Sequence, residues 1–481
     1  MKARLEPEVL WRCFEELSRI PRDSKQEALA RNYVVDRARA LGLDYRVDRA
    51  GNVLVVKPCR QNEKTVVLQA HLDMVCEKDR DTGHDFSRDP IQLVRDKAWV
   101  RAQGTTLGAD NGIGVAAMLA IMEDKGLNLP RLELLFTVDE ETGLTGAMLM
   151  EAGLLTGKTF INLDSEQEGT IIVGCAGGRD TSLRLTVSRR GVPDGYEPCL
   201  VRVGGLKGGH SGTDIHTGRG NAIYLLARSL MDLPVTMHLA TIAGGNKHNA
   251  IPREAEAVLM IRPEDRPALL QTLDRMNAVF AREFKGIDEN VRLTVEPAAG
   301  PESVMAPEDA RRILNLLVCL PHGLIDVDME RGAVISSTNL AVCSTQGDTV
   351  TIATSQRSTL ASRRDAVASQ VAALGSLAGA HVAHNHVYPA WPPDYDSALL
   401  TSAKGVYRSL FGKTARIKVI HAGLECGVIG DKIPGIAMIS IGPTIEQAHS
   451  PYEKVNIRSV ERFWQFLIRL LEELAVNPRA S

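Results

Sequence analysis

Histidine and carboxylate residues occur in five short groups that are widely separated along the chain. The groups are His71 with Asp73, Asp110, Glu140 with Glu141, Asp164, and His449. Clustered carboxylates without positively charged partners repel one another strongly, and bound cations are the usual compensation. If the five groups meet at one place, they supply a ligand set for two divalent cations. Two adjacent metal ions can polarise a carbonyl group and lower the pKa of a water molecule, which is the chemistry of hydrolysis.

Each group taken alone also has an ordinary structural explanation. His71 and Asp73 could form a structural pair, the DEE triplet that ends at Glu141 could be a solvated loop, and Asp110 before Asn-Gly could form a turn or cap a helix. A purely structural zinc site is disfavoured, because structural zinc prefers closed, cysteine-rich coordination. The metal hypothesis therefore depends on whether the fold brings the five groups together.

Four of the groups follow apolar runs that are typical of buried strands. TVVLQA precedes His71, RLELLFTV precedes Glu140, TFINL precedes Asp164 and IAMISIGP precedes His449, whereas GADNGIG puts Asp110 at the start of a helix. Short apolar strands that alternate with helices predict an α/β fold with a mostly parallel sheet and helices on both faces. Open sheets of this kind bind ligands at the carboxyl ends of their strands. We therefore expect the five groups to lie along one edge of one sheet.

Local signals support the first elements. Ser24 and Glu27 form a capping-box pattern before a helix over KQEALARNYVVDRARAL, and Gly42 stands where that helix needs a left-handed residue at its end. The segment YRVDRAGNVLVVKP predicts a hairpin that turns around residues 50–52.

The pattern of elements changes twice along the chain. From about Asp180 the segments become alternating strands around amphipathic helices, and the α/β pattern resumes after Trp391. We predict a catalytic domain whose first segment is residues 1–182 and whose second segment is residues 391–481. Residues 183–390 then form an inserted α+β domain, which has room for two α+β halves.

Composition argues against several classes of protein. The 481 residues include 56 Lys and Arg against 59 Asp and Glu, without a basic stripe, so nucleic acid is not an expected partner. No run approaches the roughly 18 consecutive apolar residues of a membrane span, and the charged N-terminal stretch lacks the apolar core of a signal peptide. We therefore predict a cytoplasmic protein without a membrane partner. Eight scattered cysteines without a CxxC pair signal neither a disulfide framework nor a thiolate zinc site.

Eight motifs give the sequence a specific family resemblance. In chain order they are AHLDMVCEKD, LGADNGIG, TVDEETG, NLDSE, GGHSG, NAIPREA, HAGLECG and SIGPTIEQAHSP. Together they resemble the successive motifs of the M20 metallopeptidases and, within that family, those of the aminoacyl-histidine dipeptidases, which are also called cytosol non-specific or carnosinase-like dipeptidases. The resemblance covers nearly the whole chain, and it implies an α/β catalytic domain with an inserted lid domain.

The resemblance implies a role for each metal-binding group. One metal ion would bind to His71 and Asp164, and the second to Glu141 and His449, while Asp110 would bridge the two. Imidazole and carboxylate ligands suit zinc, and manganese or cobalt are tolerated by the same oxygen-rich site. Two further roles accompany the ligands. Glu140 would be the general base that takes a proton from water, and Asp73 would orient the imidazole of His71.

Three residues of the inserted domain match positions that contact substrate in the family. His210, in KGGHSG, would donate a hydrogen bond to the tetrahedral oxyanion, although a glycine-rich turn with an incidental histidine is the plainer explanation. Asn249 and Arg253, in HNAIPREA, would hold the substrate carboxylate. Arginine suits a planar anion through paired hydrogen bonds, but an exposed arginine on a strand edge is common.

Glu425, in HAGLECG, marks a departure from related members of the family. Tripeptidases and carboxypeptidases carry an arginine and glycines in the corresponding loop, whereas this chain has a carboxylate. A carboxylate there could receive the α-ammonium group of a short substrate. Otherwise Glu425 is an N-terminal helix residue that interacts with the helix dipole.

These features predict metal-dependent hydrolysis of the peptide bond of dipeptides, with a broad specificity that could include Xaa-His peptides such as carnosine. The alternative enzyme hypothesis is deacylation of N-acyl amino acids at the same two-metal site. A peptide-binding protein without catalysis would be expected to lack the base or some ligands, and Glu140 and the five ligands are all present. Small peptides are the expected partners, and a homodimer formed through the lid remains open, because the long lid could instead supply both halves within one chain.

Overall fold

The apolar runs that precede the histidine and carboxylate groups form the centre of one mixed sheet. In the computed structural model, which describes residues 5–59 and 64–476, this sheet has eight strands. In spatial order they are Asp44–Val47, Val53–Lys57, Arg131–Thr137, Thr65–His71, Thr159–Asn162, Ala437–Ser440, Thr170–Cys175 and Arg416–Ile420. The third to sixth of these pair in parallel, and the pairs outside them are antiparallel where their register is defined. The strand ending at His71 is buried along nearly its whole length, as expected for a parallel strand covered on both faces.

Helices accompany this sheet in the same part of the chain. They are Glu8–Leu17, Ala28–Ala40, Ala109–Glu123, Thr145–Leu149, Ala398–Phe411, Glu425–Lys432 and Ile457–Val476. The helix Ala109–Glu123 is buried on every side from Ala109 to Met122, because it contacts both the first helix and the strand that ends at His71. A helix that is apolar all round belongs in the interior of a domain.

A second, smaller sheet has four strands, in the order Ile445–Glu446, Lys454–Asn456, Trp99–Ala102 and Leu93–Asp96. Its first two strands are antiparallel neighbours in sequence. The connection between them carries His449, whose φ of 62° lies in the left-handed region. A non-glycine residue in that region is uncommon and often marks a functional loop.

The other part of the chain contains an antiparallel nine-stranded sheet. Eight strands follow the order Arg292–Pro297, Glu197–Gly204, Ala255–Ile261, His238–Gly244, Val334–Gln346, Thr349–Ser358, Gly177–Thr186 and His381–Tyr388, and Gly323–Val327 pairs with the fifth of these. Two shorter ladders pair Arg189–Gly191 with Ser303–Met305 and Gly209–His210 with Ala250–Ile251. The α-helices are Ala222–Met231, Arg266–Glu283, Pro307–Cys319 and Ala361–Leu377, with single 3-10 turns at Ile215–Thr217 and Pro263–Asp265.

The chain divides into two units. The first comprises the described residues of Met1–Cys175, Trp391–Val419 and Leu424–Ser481, and the second comprises Ala176–Ala390 and Ile420–Gly423. The strand Gly177–Thr186 runs across the expected boundary between residues 182 and 183, so the second unit begins before that point. The two expected α+β halves share one sheet, and a four-residue piece of the expected second catalytic segment belongs to the second unit.

The local predictions had different outcomes. The hairpin around residues 50–52 is present, and Gly42 has the expected left-handed φ of 66°. The capping box is wrong: the helix starts at Ala28, its N-terminus has no side-chain cap, and the Ser24 hydroxyl instead donates to Asp73. A tertiary partner outcompeted the local one, because it is a buried carboxylate that needs donors.

Two further findings concern the whole described chain. No disulfide joins the eight cysteines, all of which lie in the described residues. Within residues 5–59 and 64–476, no helix has both the length and the apolar character required to cross a membrane.

Candidate metal centre and substrate-binding residues

The carboxyl ends of three adjacent parallel strands bring three of the predicted groups together. His71 is the last residue of its strand, Glu140 and Glu141 follow the strand Arg131–Thr137, and Asp164 follows the strand Thr159–Asn162. These strands are neighbours in the sheet. The Nε2 atom of His71 lies 3.3 Å from Oδ1 of Asp164. This strand edge is where an open sheet is expected to bind ligands.

Asp110 lies between the two histidines. Its Oδ1 is 3.2 Å from Nε2 of His71, and its Oδ2 is 3.1 Å from Nε2 of His449. The same His449 nitrogen lies 3.1 Å from Oε2 of Glu141. One carboxylate therefore contacts a different histidine with each of its oxygens, and each histidine contacts a further carboxylate.

Three overlapping sets of side chains could each hold a metal ion, because their ligand atoms lie within 4.8 Å of one another. The sets are His71, Asp110 and Asp164; His71, Glu140 and Glu141; and Asp110, Glu141 and His449. A fourth such set, of Glu27, Asp73 and Asp139, consists of carboxylates alone.

The cluster has strongly shifted proton affinities. Burial lowers the pKa of His71, but Asp164, Asp110 and Asp73 outweigh this effect and raise it well above its ordinary value. Burial also opposes the shift at His449. The contacts of His449 with Asp110 and Glu141 nevertheless raise its pKa to about 11. At both histidines the neighbouring carboxylates favour the protonated imidazole.

The carboxylates respond to the same crowding. Burial raises the pKa of Asp164 to about 6 despite the attraction of His71, with the charges of Asp110 and Glu141 adding to the effect. Burial also raises the pKa of Glu140 well above its usual range, with Asp164 among the contributors. Asp110 is the exception: burial would raise its pKa, but its contacts with His449 and His71 lower it below the usual range.

The donor set fits a pair of divalent cations. It contains imidazole nitrogens and carboxylate oxygens only, and its carboxylates outnumber its histidines. Oε1 of Glu141 is buried and has no hydrogen-bond partner among the described residues. A buried carboxylate oxygen without a partner is costly, and a bound cation would offset that cost.

Asp73 connects His71 with the loop that carries the two glutamates. Its Oδ1 lies 3.3 Å from Nδ1 of His71 and accepts the backbone N–H of Glu140 at 3.1 Å, while its Oδ2 accepts the N–H of Glu141 at 3.2 Å. The Ser24 hydroxyl donates to the same Oδ2 at 2.8 Å. Although burial opposes it, these contacts lower the pKa of Asp73 to about 2, so the group is ionised.

Asn111 is a site residue that sequence reasoning missed. Its Nδ2 donates to the backbone carbonyl of Leu163 at 3.0 Å and also contacts Oδ1 of Asp164. The only signal was its position directly after Asp110, where Asn-Gly suggested no more than a turn. Arg22 and Glu453, which contact the backbone beside the cluster, were missed as well.

Glu425 is the first residue of the helix Glu425–Lys432 and is fully buried. Its Oε2 accepts hydrogen bonds from Gln69 Nε2 at 2.5 Å and from the hydroxyl of Thr137 at 2.7 Å. Asn162 Nδ2 in turn donates to Oε1 of Gln69 at 2.6 Å, so the carboxylate rests on a polar layer within three neighbouring strands. Its Oε1 is buried without a hydrogen-bond partner among the described residues. Burial raises the pKa of Glu425 to about 8.

The three remaining predicted residues belong to the second unit. His210 pairs with Ala250 in a two-residue ladder, and Asn249 is the turn residue directly before that ladder. The backbone carbonyl of Asn249 accepts the N–H of Ser211 at 2.8 Å. Arg253 is exposed and lies beside Gly208.

The imidazole of His210 is held in one tautomer. Its Nδ1 accepts the backbone N–H of Gly212 at 3.2 Å and that of Thr213 at 3.1 Å. Because Nδ1 accepts, the proton of the neutral ring resides on Nε2. The Nε2–H group of His210 is therefore the donor of this ring.

Comparison with known proteins agrees with this architecture. The model of peptidase family M20/M25/M40 matches residues 67–473. A cytosol non-specific dipeptidase from Escherichia coli strain K12 is 40% identical over 478 residues, which is 98% of this chain and 99% of that protein. The crystal structure of an aminoacylhistidine dipeptidase from Vibrio alginolyticus has 41% sequence identity and a TM-score of 0.86, covering 97% of each chain.

A tripeptidase structure from Staphylococcus aureus shares the fold at a TM-score of 0.59 and 16% identity, covering 99% of this chain and 100% of that one. The chain belongs to peptidase family M20/M25/M40. The family predicted from the motifs and the α/β class with a separate lid domain are both confirmed.

Proposed function

We propose that the chain is a cytoplasmic, metal-dependent dipeptidase of broad specificity that accepts Xaa-His dipeptides among its substrates. The observation that carries the proposal is the carboxylate of Asp110, which contacts a different histidine with each oxygen. The names of the relatives from Escherichia coli and Vibrio alginolyticus support dipeptides as the substrate class.

Five side chains would hold two divalent metal ions, with zinc the preferred ion and manganese or cobalt as alternatives. His71 and Asp164 would bind one ion, Glu141 and His449 the other, and Asp110 both. When bound, the ions polarise the scissile carbonyl and make water more acidic. Asp73 would fix the orientation of His71, since it contacts the ring nitrogen opposite the one that faces the cluster.

Glu140 would act as the general base. It follows a strand at the cluster, and its backbone is held by Asp73. A carboxylate whose proton affinity is raised by burial and by neighbouring negative charge is suited to take a proton from water and pass it to the leaving amine.

The two ends of a dipeptide would bind to different residues. Glu425 would receive the α-ammonium group, since its buried Oε1 needs a partner that a cation can provide. Asn249 and Arg253 would hold the α-carboxylate. His210 would donate a hydrogen bond from its Nε2–H group to the oxyanion, because its tautomer already has the hydrogen at that atom.

A substrate panel on metal-depleted and metal-reconstituted protein tests this function. Chelation should abolish hydrolysis of dipeptides, and about two equivalents of zinc per chain should restore it, since the cluster has ligands for two ions. The panel should include a tripeptide and N-acyl amino acids as controls. If the protein hydrolyses N-acyl amino acids efficiently but does not hydrolyse dipeptides, the deacylase hypothesis is correct instead. Full activity at one equivalent of zinc per chain would contradict the two-metal site.

A further inference from the structure

Two charged side chains are buried beside the metal cluster, although neither belongs to the predicted ligand set. Glu453 and Arg22 are each 2% exposed. Within the part of the chain that the structure describes, both side chains form their hydrogen bonds with the backbone. Buried charges are expensive unless they are well compensated, so their position requires an explanation.

The carboxylate of Glu453 accepts four backbone N–H groups from four consecutive residues. Its Oε2 accepts from Leu107 at 2.7 Å and Gly108 at 2.8 Å, and its Oε1 accepts from Ala109 at 2.8 Å and Asp110 at 3.2 Å. The helix Ala109–Glu123 starts here with a kink, because Asp110 and Asn111 have non-helical backbone angles. The N–H groups at the start of a helix have no partner within the helix. Glu453 thus caps this kinked first turn from a distant part of the sequence and fixes the backbone of Asp110.

The N-cap residue itself cannot supply a capping side chain, because it is Gly108 with a φ of 68°. A Cβ atom at this position would lie 2.7 Å from Sδ of Met74 and would also collide with Nη2 of Arg22. Glycine is therefore required by both the backbone conformation and the close approach of its neighbours. The cap must come from elsewhere in the chain.

Arg22 joins the same turn to the strand end that bears His71. Its Nη1 donates to the carbonyls of Leu72 and Asp73, both at 3.0 Å, and its Nη2 donates to the carbonyl of Gly108 at 2.5 Å. Burial lowers the pKa of Arg22, and the charge of Glu453 is the largest influence in the opposite direction. Arg22 and Glu453 therefore bind the same turn from opposite polarities, Arg22 through the carbonyl of Gly108 and Glu453 through its N–H.

The position of Glu453 in its own loop adds a second link. It lies four residues after His449, in the connection that leads into the strand Lys454–Asn456. Its hydrogen bonds to residues 107–110 hold that connection against the turn that carries Asp110. His449 and Asp110 are the pair whose side chains meet at 3.1 Å.

We propose that Glu453 and Arg22 are positioning residues of the metal centre, which together set the backbone of the Asp110 turn relative to His71 and to the loop of His449. The inference rests on the proposed two-metal function. An ordinary helix cap would only stabilise the fold, whereas these two residues also preorganise ligands from three separate segments. Residues that support metal ligands in this way typically change metal affinity by about 10–100-fold when they are substituted.

Glu453→Gln is the first test, since glutamine keeps the shape but places an amide NH₂ group against two of the four backbone donors. Zinc affinity should fall by about 10–100-fold, measured on the purified chain by competition with a chromophoric chelator. Glu453→Asp, which keeps the charge with a shorter reach, should lose less. Arg22→Lys should also weaken zinc binding, because one ammonium group cannot reproduce the forked contacts of a guanidinium group.

Glu133→Gln is the matched control. Glu133 is also buried, and its Oε2 accepts the backbone N–H groups of Thr156 at 2.9 Å and Gly157 at 3.0 Å, but it is not part of the metal cluster. This variant should lower the midpoint of thermal unfolding of the metal-free protein while leaving zinc affinity unchanged. Zinc affinities of Glu453→Gln and Arg22→Lys within twofold of the parent would overturn the proposal.

Failure of a variant to fold and failure of the parent chain to bind zinc can both be distinguished from failure of the positioning role. If Glu453→Gln does not fold, Arg22→Lys decides the question by the same measurement. If the parent chain binds no zinc, the proposed function itself fails, whereas tight zinc binding by the parent and by both variants contradicts only the positioning role.

Discussion

Glu140 and Glu141 are adjacent in sequence but have different surroundings. Glu141 contacts His449 at 3.1 Å. Burial, as the largest cause, raises the pKa of the Glu140 carboxyl well above its usual range. Asp73 accepts the backbone N–H of both residues, so the orientation of the pair is fixed at the backbone. The two side chains can therefore serve different roles although they share one loop.

Substitution by glutamine should separate these roles. Glu140→Gln should retain both metal ions and lose about 10²–10⁴-fold in kcat, the range typical of a lost general base. Glu141→Gln should instead lose metal, because an amide is a weaker ligand than a carboxylate. Metal content by elemental analysis and kcat on a dipeptide decide between them. Equal behaviour of the two variants would show that the assignment of the pair is wrong.

Glu425 gives a prediction about the amino end of the substrate. If its carboxylate binds the α-ammonium group, N-acetylation of a good dipeptide should reduce kcat/KM steeply, because the buried Oε1 then faces a neutral amide. Glu425→Gln should narrow the ratio between the free and acetylated dipeptides. An unchanged ratio in the variant would leave Glu425 as a residue of the helix N-terminus, where it also lies.

At the scale of elements, the helix Ala109–Glu123 must approach the end of the strand Thr159–Asn162 closely. A Cβ atom at Gly114 would lie 2.9 Å from the backbone carbonyl of Leu163 and would collide with the side chain of Asn111. Asn111 is the residue that contacts Asp164. The glycine therefore allows the helix and the ligand-bearing strand end to meet.

Gly114→Ala should consequently destabilise the chain by about 1–3 kcal/mol, as overpacking of a core usually does, and should also weaken zinc binding. Gly405→Ala is the matched control, since Gly405 is exposed in the helix Ala398–Phe411 and has open space around it. That change should stabilise the helix by about 0.4–1 kcal/mol. Chemical unfolding of both variants checks the expectation. If Gly114→Ala were as stable as the parent, the helix Ala109–Glu123 could shift to accept the methyl group without cost.

The same elements show what sequence reasoning could and could not predict. Apolar runs identified the strands, and the rule that ligands gather at carboxyl strand ends predicted which polar residues would meet. The capping box of Ser24 and Glu27 was wrongly predicted because it is a local signal. The Ser24 hydroxyl instead donates a hydrogen bond to Asp73, which is 49 residues away. Glu453 left no signal, because its backbone donors lie at least 343 residues earlier and any backbone segment could supply them.

At the scale of the whole molecule, the proposed catalytic residues are divided between the two units. The metal cluster and Glu425 belong to the first unit, while His210, Asn249 and Arg253 belong to the second. No periodicity or spacing assigns residues of an inserted domain to a site in another domain. Their proposed roles came from the order of the family motifs, and the geometry of His210 adds the tautomer that such a donor needs.

His210→Ala should lower kcat by about 10²–10³-fold with little change in metal content, as loss of one oxyanion donor does elsewhere. An interaction made only in the transition state affects kcat more than ground-state binding. Steady-state kinetics together with metal analysis checks this expectation. A normal kcat with a raised KM would make His210 a substrate-binding residue instead.

Mixing two inactive variants tests whether His210 serves a metal centre in its own chain or in a partner. If His210 of each subunit of a symmetric dimer serves the metal centre of the other subunit, a dimer of one His210→Ala chain and one Glu140→Gln chain would contain one complete site. Half of the dimers in an equal mixture are mixed, so about a quarter of the parent activity should return. If the residue acts within its own chain, each variant lacks one essential group at every site and mixing restores nothing. Subunit exchange must be demonstrated independently, for example by mass spectrometry of isotopically labelled chains. If exchange occurs and the mixture is still inactive, His210 acts in the same chain as the metal ligands it serves.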